Sequence, residues 1–320
     1  MRLFRRKIPV LTAILFSLIY GLSARAWYHL ARAAAPQSKE EAITLTATTT
    51  LLADLARQIG SGRITVDCLM SPGTDPHTYQ ADPGDTALLK SSDLILYHGL
   101  FLEGKLGEIL SSLQEQGRGV ICIEDAFSAS ELLCPEDNPG TPDPHVWFDV
   151  ALWQKAAVFL SKTLSEYDPE YQSGYENNLA SYLEELNELD GYIRFRTGEL
   201  EEEQRVLITA HDAFRYFGNA YGYEVKGLLG ISTDSEAGTA DIISLADYIA
   251  AHGIRAVFTE SSLSPKALTA LTDAAAARGM RTIDGGRLYS DSLGAAGSGA
   301  DTYLLMFRSN IDTIVDALTY

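Results

Sequence analysis

Short apolar runs alternate with stretches of helical spacing along most of the chain. Each run typical of a strand is followed by a segment whose apolar residues recur every three or four positions, which is the pattern of parallel β-α units. The first half predicts strands over residues 43–50, 64–70, 94–97 and 120–123, with helices over 51–59 and 83–90. The second half predicts strands over 206–209, 225–229, 256–259 and 281–284, with helices over 212–221, 242–251, 265–278 and 303–318. The sequence therefore predicts an α/β protein with two β/α lobes, each built on a parallel sheet.

A longer segment of helical periodicity separates these halves. Over residues 168–195 the apolar positions follow one another at steps of three or four residues, which places them on one face of a helix. They are Tyr171, Tyr175, Leu179, Tyr182, Leu186, Leu189 and Ile193. A helix of this length spans about 40 Å, which favours a rigid backbone helix joining two lobes over an ordinary helix within one domain. We expect an N-terminal lobe over 36–167, a linking helix over 168–200 and a C-terminal lobe over 201–320.

The first 35 residues have the pattern of an export signal. A basic cluster from Arg2 to Lys7 precedes an apolar stretch of about 15 residues, and small residues follow it. The apolar stretch is short for a membrane span, although Trp27 and Tyr28 would suit a membrane interface. We expect a signal peptide or an N-terminal anchor over 1–35. The protein is then exported, and is either periplasmic or attached to the outer face of the cytoplasmic membrane.

Composition narrows the class of partner. Hydrophobic residues make up 46% of the chain, enough for a buried core, so general disorder is excluded. The 25 basic and 43 acidic residues give a formal net charge of −18, which excludes nucleic acid as an expected partner and favours the approach of cations. The three cysteines form no C-x-x-C motif and do not indicate a thiolate metal site.

Two loops share the tripeptide Asp-Pro-His, which ends at His77 and at His145. Proline fixes its own φ and restricts the residue before it, so each histidine is presented from a stiffened loop. A third histidine, His211, comes at the end of a predicted strand, and Asp291 lies in the loop after the last one. Ligands of α/β proteins bind at the carboxyl ends of parallel strands. Each half thus contributes two candidate ligands to a site in the cleft between the lobes.

Three imidazoles and one carboxylate suit a divalent transition metal. Imidazole is a good ligand for zinc, and a carboxylate also accepts manganese. Four protein ligands complete a tetrahedral zinc site, whereas catalytic zinc keeps one position for water. The ligand count therefore favours holding a metal over catalysis with it. Metal binding requires neutral imidazoles, so the affinity for the metal should decrease when the pH drops below about 6.5. From residue types alone, ordinary structural histidines remain an open alternative.

Other polar residues near these positions are assigned supporting roles. Asp75, Asp143 or Asp212 could accept the second imidazole proton, although the first two also suit turns. Glu260 ends a predicted strand and points toward the same cleft, where it could assist entry or proton balance without being a ligand. The remaining histidines are expected to be structural or solvent-facing: His29, His98 and His252.

At these residues the chain resembles the metal-binding receptors of ABC importers, the TroA-like zinc/manganese family. Five segments carry the resemblance in the family's order, across about residues 43–319: Asp75-Pro76-His77, Ser92 to Tyr97, Asp143 to Asp149, Thr209 to Phe214 and Ser290 to Gly294.

The resemblance implies one metal between two β/α lobes, held by His77, His145, His211 and Asp291. It implies capture of the metal outside the cytoplasmic membrane, delivery to the membrane permease of an ABC importer, and no enzymatic activity. We expect a monomer. Manganese-dedicated members often have Glu at the position of His211, so Zn2+ is the expected metal and Mn2+ the alternative. Zinc-dedicated members often carry a His-rich acidic loop, whereas residues 124–142 contain acids but no histidine.

Two other functions are considered. An exported zinc-dependent hydrolase would need an open coordination position and a general base, for which Glu260 is the obvious candidate; no H-E-x-x-H motif is present. A surface adhesin is the second alternative, and the sequence offers no motif that discriminates it.

Overall fold

Two parallel four-stranded sheets form the framework of the protein. The computed structural model describes residues 42–135 and 140–319. The first sheet has the order β2-β1-β3-β4 and the second the order β6-β5-β7-β8. The strands are β1 (Ile43–Ala47), β2 (Ile64–Cys68), β3 (Leu94–Tyr97), β4 (Gly119–Cys122), β5 (Val206–His211), β6 (Glu224–Leu229), β7 (Ala256–Glu260) and β8 (Ile283–Leu288). We call the first sheet with its helices the N-terminal lobe, and the second the C-terminal lobe. The predicted α/β class with two parallel sheets is confirmed.

Nine α-helices connect and cover these strands in the described part of the chain. They are α1 (Thr50–Gly60), α2 (Pro83–Ser91), α3 (Gly107–Glu115), α4 (Val150–Tyr167), α5 (Gln172–Thr197), α6 (Arg215–Tyr221), α7 (Thr239–His252), α8 (Lys266–Ala276) and α9 (Tyr303–Leu318). None of the helices in the described residues is both long and apolar enough to cross a membrane.

Local sequence signals determine where two of the helices begin. The Thr49 hydroxyl accepts a hydrogen bond from the backbone N–H of Leu52, so the predicted strand over 43–50 ends early and α1 begins at Thr50. Asp82 and Asp85 form a reciprocal capping box around the start of α2, with Pro83 in the first turn.

The long helix between the sheets is α5. It follows a 3₁₀ turn over Pro169–Tyr171 and runs for 26 residues. The predicted apolar face is buried at Tyr175, Tyr182, Leu186, Leu189 and Ile193. This face packs against α4, α9 and α1, so the helix contacts elements from both ends of the chain.

One hydrophobic core runs through both lobes. Its members include Leu45 of β1, Trp153 of α4, Leu186 of α5 and Phe307 of α9. Two smaller clusters lie elsewhere, one around α2 and α3 and one around α7 and α8. Ala42–Tyr320 form one compact unit.

Four elements differ from the sequence predictions: α3, α4, α6 and β8. Helices α3 and α4 were not predicted. Helix α6 begins at Arg215 rather than at 212, because the chain turns sharply after β5. Strand β8 runs to Leu288 instead of ending at 284; Gly286 has a φ of 116°, and the pairing of β7 with β8 shifts register there. The predicted signal peptide or anchor over 1–35 lies outside the described residues.

Candidate metal centre

Four buried side chains from separate loops and strand ends converge between the two sheets. His77 lies in the loop after β2, His145 just before α4, His211 at the end of β5 and Asp291 in the loop after β8. Their ligand atoms all lie within 4.8 Å of one another. We call these four residues the His3Asp cluster. His145 and His211 are fully buried, and Asp291 and His77 are 1% and 4% exposed.

The distances within the His3Asp cluster match the edges of a small coordination polyhedron. The Nε2 atom of His145 lies 3.4 Å from Nε2 of His77 and 3.3 Å from Nε2 of His211. The two oxygens of Asp291 lie 3.4 Å from Nε2 of His145 and of His211. Ligands at zinc distances of about 2.0–2.2 Å stand about 3.3–3.6 Å apart at the corners of a tetrahedron.

Two carboxylates set the orientation of two of the imidazoles. The Nδ1 atom of His145 lies 2.7 Å from Oδ1 of Asp143, and Nδ1 of His211 lies 2.6 Å from Oε2 of Glu260. A carboxylate at Nδ1 keeps a proton on that nitrogen, so Nε2 is the nitrogen that faces the centre of the cluster and is available to a cation once its own proton is lost.

Strand register brings Glu260 to His211. Strands β5 and β7 are parallel, and Thr209 pairs with Phe258. His211 and Glu260 come two residues later on each strand, so they end at the same level. The backbone N–H of His211 also donates to Oε1 of Glu260, at 2.8 Å. Glu260 therefore contacts a histidine of the cluster directly.

The two Asp-Pro-His loops form the same turn. The backbone N–H of His77 donates to Oδ1 of Asp75 at 2.9 Å, and that of His145 donates to Oδ1 of Asp143 at 3.0 Å. Both aspartates are therefore turn residues, and Asp143 in addition holds an imidazole.

Without a bound cation, the buried carboxylates favour protons on two of the histidines. Burial lowers the pKa of His145, but Asp143 and then Asp291 more than offset this and raise it to about 9. Burial acts the same way on His211, and Glu260 with Asp291 raises its pKa well above the usual range. Burial lowers the pKa of His77 to about 4. Burial alone would raise the pKa of Asp291, yet His211 and His145 hold it well below its usual range. The buried carboxylates therefore stabilise positive charge in this pocket.

An aromatic residue that the sequence analysis did not single out as functional positions the Asp291 loop. The indole N–H of Trp147 donates to the carbonyl oxygen of Ser290 at 3.0 Å, and the hydroxyl of Tyr303 donates to the carbonyl oxygen of Trp147 at 2.6 Å. The Trp147 ring also lies 5.2 Å from the ring of His145, centroid to centroid. Its position two residues after His145 was the available signal.

The other histidines lie apart from this cluster. His98 is buried against Trp147, with its Nε2 atom 2.9 Å from the Thr49 hydroxyl, and burial lowers its pKa to about 3. His252 is exposed at the end of α7. His29 lies outside the described residues. Asp212 is next to His211 in sequence, but its carboxylate faces Arg215. The three cysteines are free thiols.

The comparisons with known proteins agree in finding metal-binding relatives. A family profile described as "ZnuA: Zinc-uptake complex component A periplasmic" matches residues 45–317. The chain is 42% identical over 284 residues to the manganese-binding lipoprotein MntA of Bacillus subtilis, covering 89% of this chain and 92% of that protein. It is also 42% identical over 268 residues to the zinc-binding protein TroA of Treponema pallidum, covering 84% and 86%. The solved structure of that periplasmic zinc-binding protein superposes with a TM-score of 0.84, covering 87% of this chain and 99% of the other.

Proposed function

This chain belongs to the ZnuA family of metal-binding components of ABC importers, and on that premise we propose that the His3Asp cluster holds its metal cargo. The chain is the substrate-binding component of a zinc or manganese importer. It binds a divalent metal ion outside the cytoplasmic membrane and works with an ABC transporter. The members of this family are metal-binding transport receptors rather than enzymes, so the hydrolase alternative is set aside.

The observation that supports the ligand assignment is the convergence of four buried side chains, whose ligand atoms all lie within 4.8 Å of one another. Both oxygens of Asp291 are buried and make no hydrogen bond in the described structure. A buried carboxylate without partners is costly unless a cation faces it. The Nε2 atoms of His145 and His211 face the same point, 3.3 Å from each other.

We propose zinc as the preferred ion and manganese as the second. Three imidazoles favour zinc, and the spacing near 3.4 Å suits its tetrahedral coordination. Both oxygens of Asp291 face the centre, so the carboxylate has a second oxygen to offer a larger ion such as manganese. Relatives of equal identity are described as manganese-binding and as zinc-binding.

The ligand assignment is tested by metal titration against a competing chelator. His211→Ala should lower the affinity for Zn2+ by at least about a hundredfold, because it removes one ligand and leaves Glu260 buried without its partner. His252→Ala is the matched control, since this exposed histidine should leave the affinity unchanged. Equal affinities of wild type and His211→Ala would reject the assignment. Elemental analysis of protein purified from its native host identifies the ion carried in the cell.

The architecture suggests boundaries for the parts. We propose an N-terminal lobe over 36–167, a linking helix over 168–200 and a C-terminal lobe over 201–320, preceded by an export signal or anchor over 1–35. We further propose that the protein acts as a monomer, because each lobe supplies two of the four ligands and one chain completes the site. Sedimentation analysis of the metal-loaded protein would test this.

A further inference from the structure

The two Asp-Pro-His loops share a turn but differ in what the aspartate does next. Asp143 turns its carboxylate onto Nδ1 of His145, within the same loop. The corresponding carboxylate of Asp75 instead reaches the opposite lobe, where its Oδ2 atom accepts a hydrogen bond of 2.6 Å from the hydroxyl of Thr233. The carboxylate of Asp143 is therefore used within its own loop, whereas the carboxylate of Asp75 reaches the C-terminal lobe.

The loop that carries His77 has a second bond to the opposite lobe. The backbone N–H of Gly73 donates to the hydroxyl oxygen of Ser292 at 2.8 Å. Ser292 follows Asp291 directly in the sequence. The loop over 71–77 is thus held on both sides of Thr74 by residues of the C-terminal lobe. The backbone of His77 is linked to that lobe through one intermediate, the carboxylate of Asp75.

The segment that supplies Thr233 is tied to the N-terminal lobe at the next residue too. The ammonium group of Lys105 lies 2.8 Å from Oδ1 of Asp234. Both side chains are about half exposed, so this ion pair contributes little and is weakened by salt. The bond between Thr233 and Asp75 is partly buried, so water and salt weaken it less than they weaken the ion pair.

Carboxylates of their own lobes orient the imidazoles of the other two histidines. The His145 loop has separate bonds to the C-terminal lobe, since Tyr216 donates its hydroxyl to the carbonyl oxygen of Asp143 at 3.0 Å. Asp143 fixes His145, and Glu260 on the neighbouring strand fixes His211. His77 is also the most exposed member of the His3Asp cluster. Separation of the lobes along this edge would break the Thr233 bond first and would leave the carboxylate contacts of His145 and His211 intact.

We propose that Asp75 and Thr233 are positioning residues that couple His77 to closure of the lobes, so that His77 is the first ligand to leave the metal. This inference rests on the proposed function. When the lobes are together, Thr233 holds Asp75, and Asp75 holds the backbone of His77. When they separate along this edge, the loop over 71–77 is freed, whereas the His145 loop stays bonded to the C-terminal lobe through the hydroxyl of Tyr216 and the indole of Trp147. Release then begins by loss of one imidazole instead of all four ligands at once.

The test is the rate at which zinc leaves the protein. Zn2+-loaded protein is mixed rapidly with an excess of a chromophoric chelator, and release is followed by absorbance. Thr233→Val keeps the shape of the side chain but removes the hydroxyl, and should accelerate release about tenfold, the size expected for losing a hydrogen bond to a carboxylate. Thr233→Ser keeps the hydroxyl and should release zinc within about twofold of the wild-type rate.

A second control separates the bond between lobes from other bonds to the same carboxylate. Thr78, in the same loop as Asp75, donates its hydroxyl to the same Oδ2 atom at 3.2 Å. Thr78→Val removes a bond to Asp75 without touching the C-terminal lobe, and should leave the release rate near that of wild type. A merely structural role of Asp75 would make the Thr78 and Thr233 variants equally fast.

The outcomes distinguish this inference from the proposed function. Faster release from Thr233→Val alone supports the coupling. Wild-type release from Thr233→Val, or equal acceleration by Thr78→Val, overturns it while leaving the ligand assignment standing. If the wild-type protein binds zinc and manganese no more tightly than His211→Ala does, the proposed function itself is overturned.

Discussion

At the scale of single residues, the carboxylates behind the imidazoles decide which nitrogen of each histidine faces the proposed metal site. Oε1 of Glu260 accepts the backbone N–H of His211, and Oε2 lies 2.6 Å from Nδ1 of the same residue, so both oxygens face one histidine. Its negative charge makes the imidazole a stronger ligand and fixes its tautomer.

Glu260→Gln should therefore weaken zinc binding by about ten- to a hundredfold without removing a ligand. The amide retains an oxygen for one of the two N–H groups but has no charge, and its NH2 group opposes the other. The measurement is a chelator competition at constant pH. Asp212→Asn is the control, because that carboxylate faces Arg215 and should change affinity much less. Unchanged affinity in Glu260→Gln would show that the carboxylate does not tune the site.

The pH dependence of binding follows from the protonation of the metal-free site. Asp143 and Asp291 raise the pKa of His145 to about 9, so this imidazole carries a proton at pH 7 that the metal must displace. Affinity should then keep rising with pH up to about 9, by up to about tenfold per unit for each proton displaced, and fall as pH decreases. The unperturbed histidine pKa predicted loss only below about pH 6.5. Titration calorimetry in buffers of different ionisation enthalpy measures the protons released, and no release at pH 7 would contradict this expectation.

The residues of the site were predictable to different degrees. His77 and His145 stood out because the same tripeptide occurs twice, and His211 and Asp291 because both follow strands. The bond between Glu260 and His211 was not predictable, because it depends on the register of β5 against β7. The bond from Asp75 to Thr233 was equally hidden, since it joins residues 158 positions apart in different lobes.

At the scale of elements, strands were easier to locate than helices. The short apolar runs at β3 and β4 have turn or polar residues on both sides, so their limits were readable within a residue or two. Helix α4 was missed although Leu152, Ala156, Leu160 and Leu164 recur every four residues and Asp149 caps its start. Helix α3 gave less signal, because it begins at Gly107 and spans only nine residues.

Substitution by alanine should affect stability differently at the two glycines of α5. Gly191 is exposed, and a Cβ atom added there would meet nothing within 4 Å. Gly191→Ala should stabilise the protein by about 0.5–1 kcal/mol, because alanine loses less backbone entropy on folding into a helix. At Gly174 the added Cβ would clash with the Tyr171 ring, so Gly174→Ala forces that ring to move and should lose this gain. Denaturant midpoints of both variants measure the difference, and equal stabilisation would show that the Tyr171 ring yields freely.

At the scale of the whole molecule, the shared core limits how the lobes can move. Helices α4, α5 and α9 pack together, and Trp153 stacks on Tyr303 with ring centroids 5.0 Å apart. A wide hinge opening would expose this core at a cost of about 25 cal/mol for each Å2 of apolar surface. Motion is therefore expected at the side where contacts between the lobes are polar, such as Thr233 with Asp75 and Lys105 with Asp234.

The same core predicts that the two lobes unfold together. Chains of this length often unfold in steps, each domain by itself. Here, however, Leu45 of the first sheet and Phe258 of the second belong to one buried cluster, so the loss of either lobe exposes the apolar surface of the other. Calorimetry of the metal-free protein should show one transition whose calorimetric and van't Hoff enthalpies agree. Zinc should move that transition to higher temperature without splitting it, since it binds only the folded state, and the shift should be much smaller in His211→Ala. Two separate transitions in the metal-free protein would mean that the ion, and not the core, holds the lobes together. The packing of α5 would then no longer limit how far the lobes open, and the polar contacts at the cleft would set that limit instead.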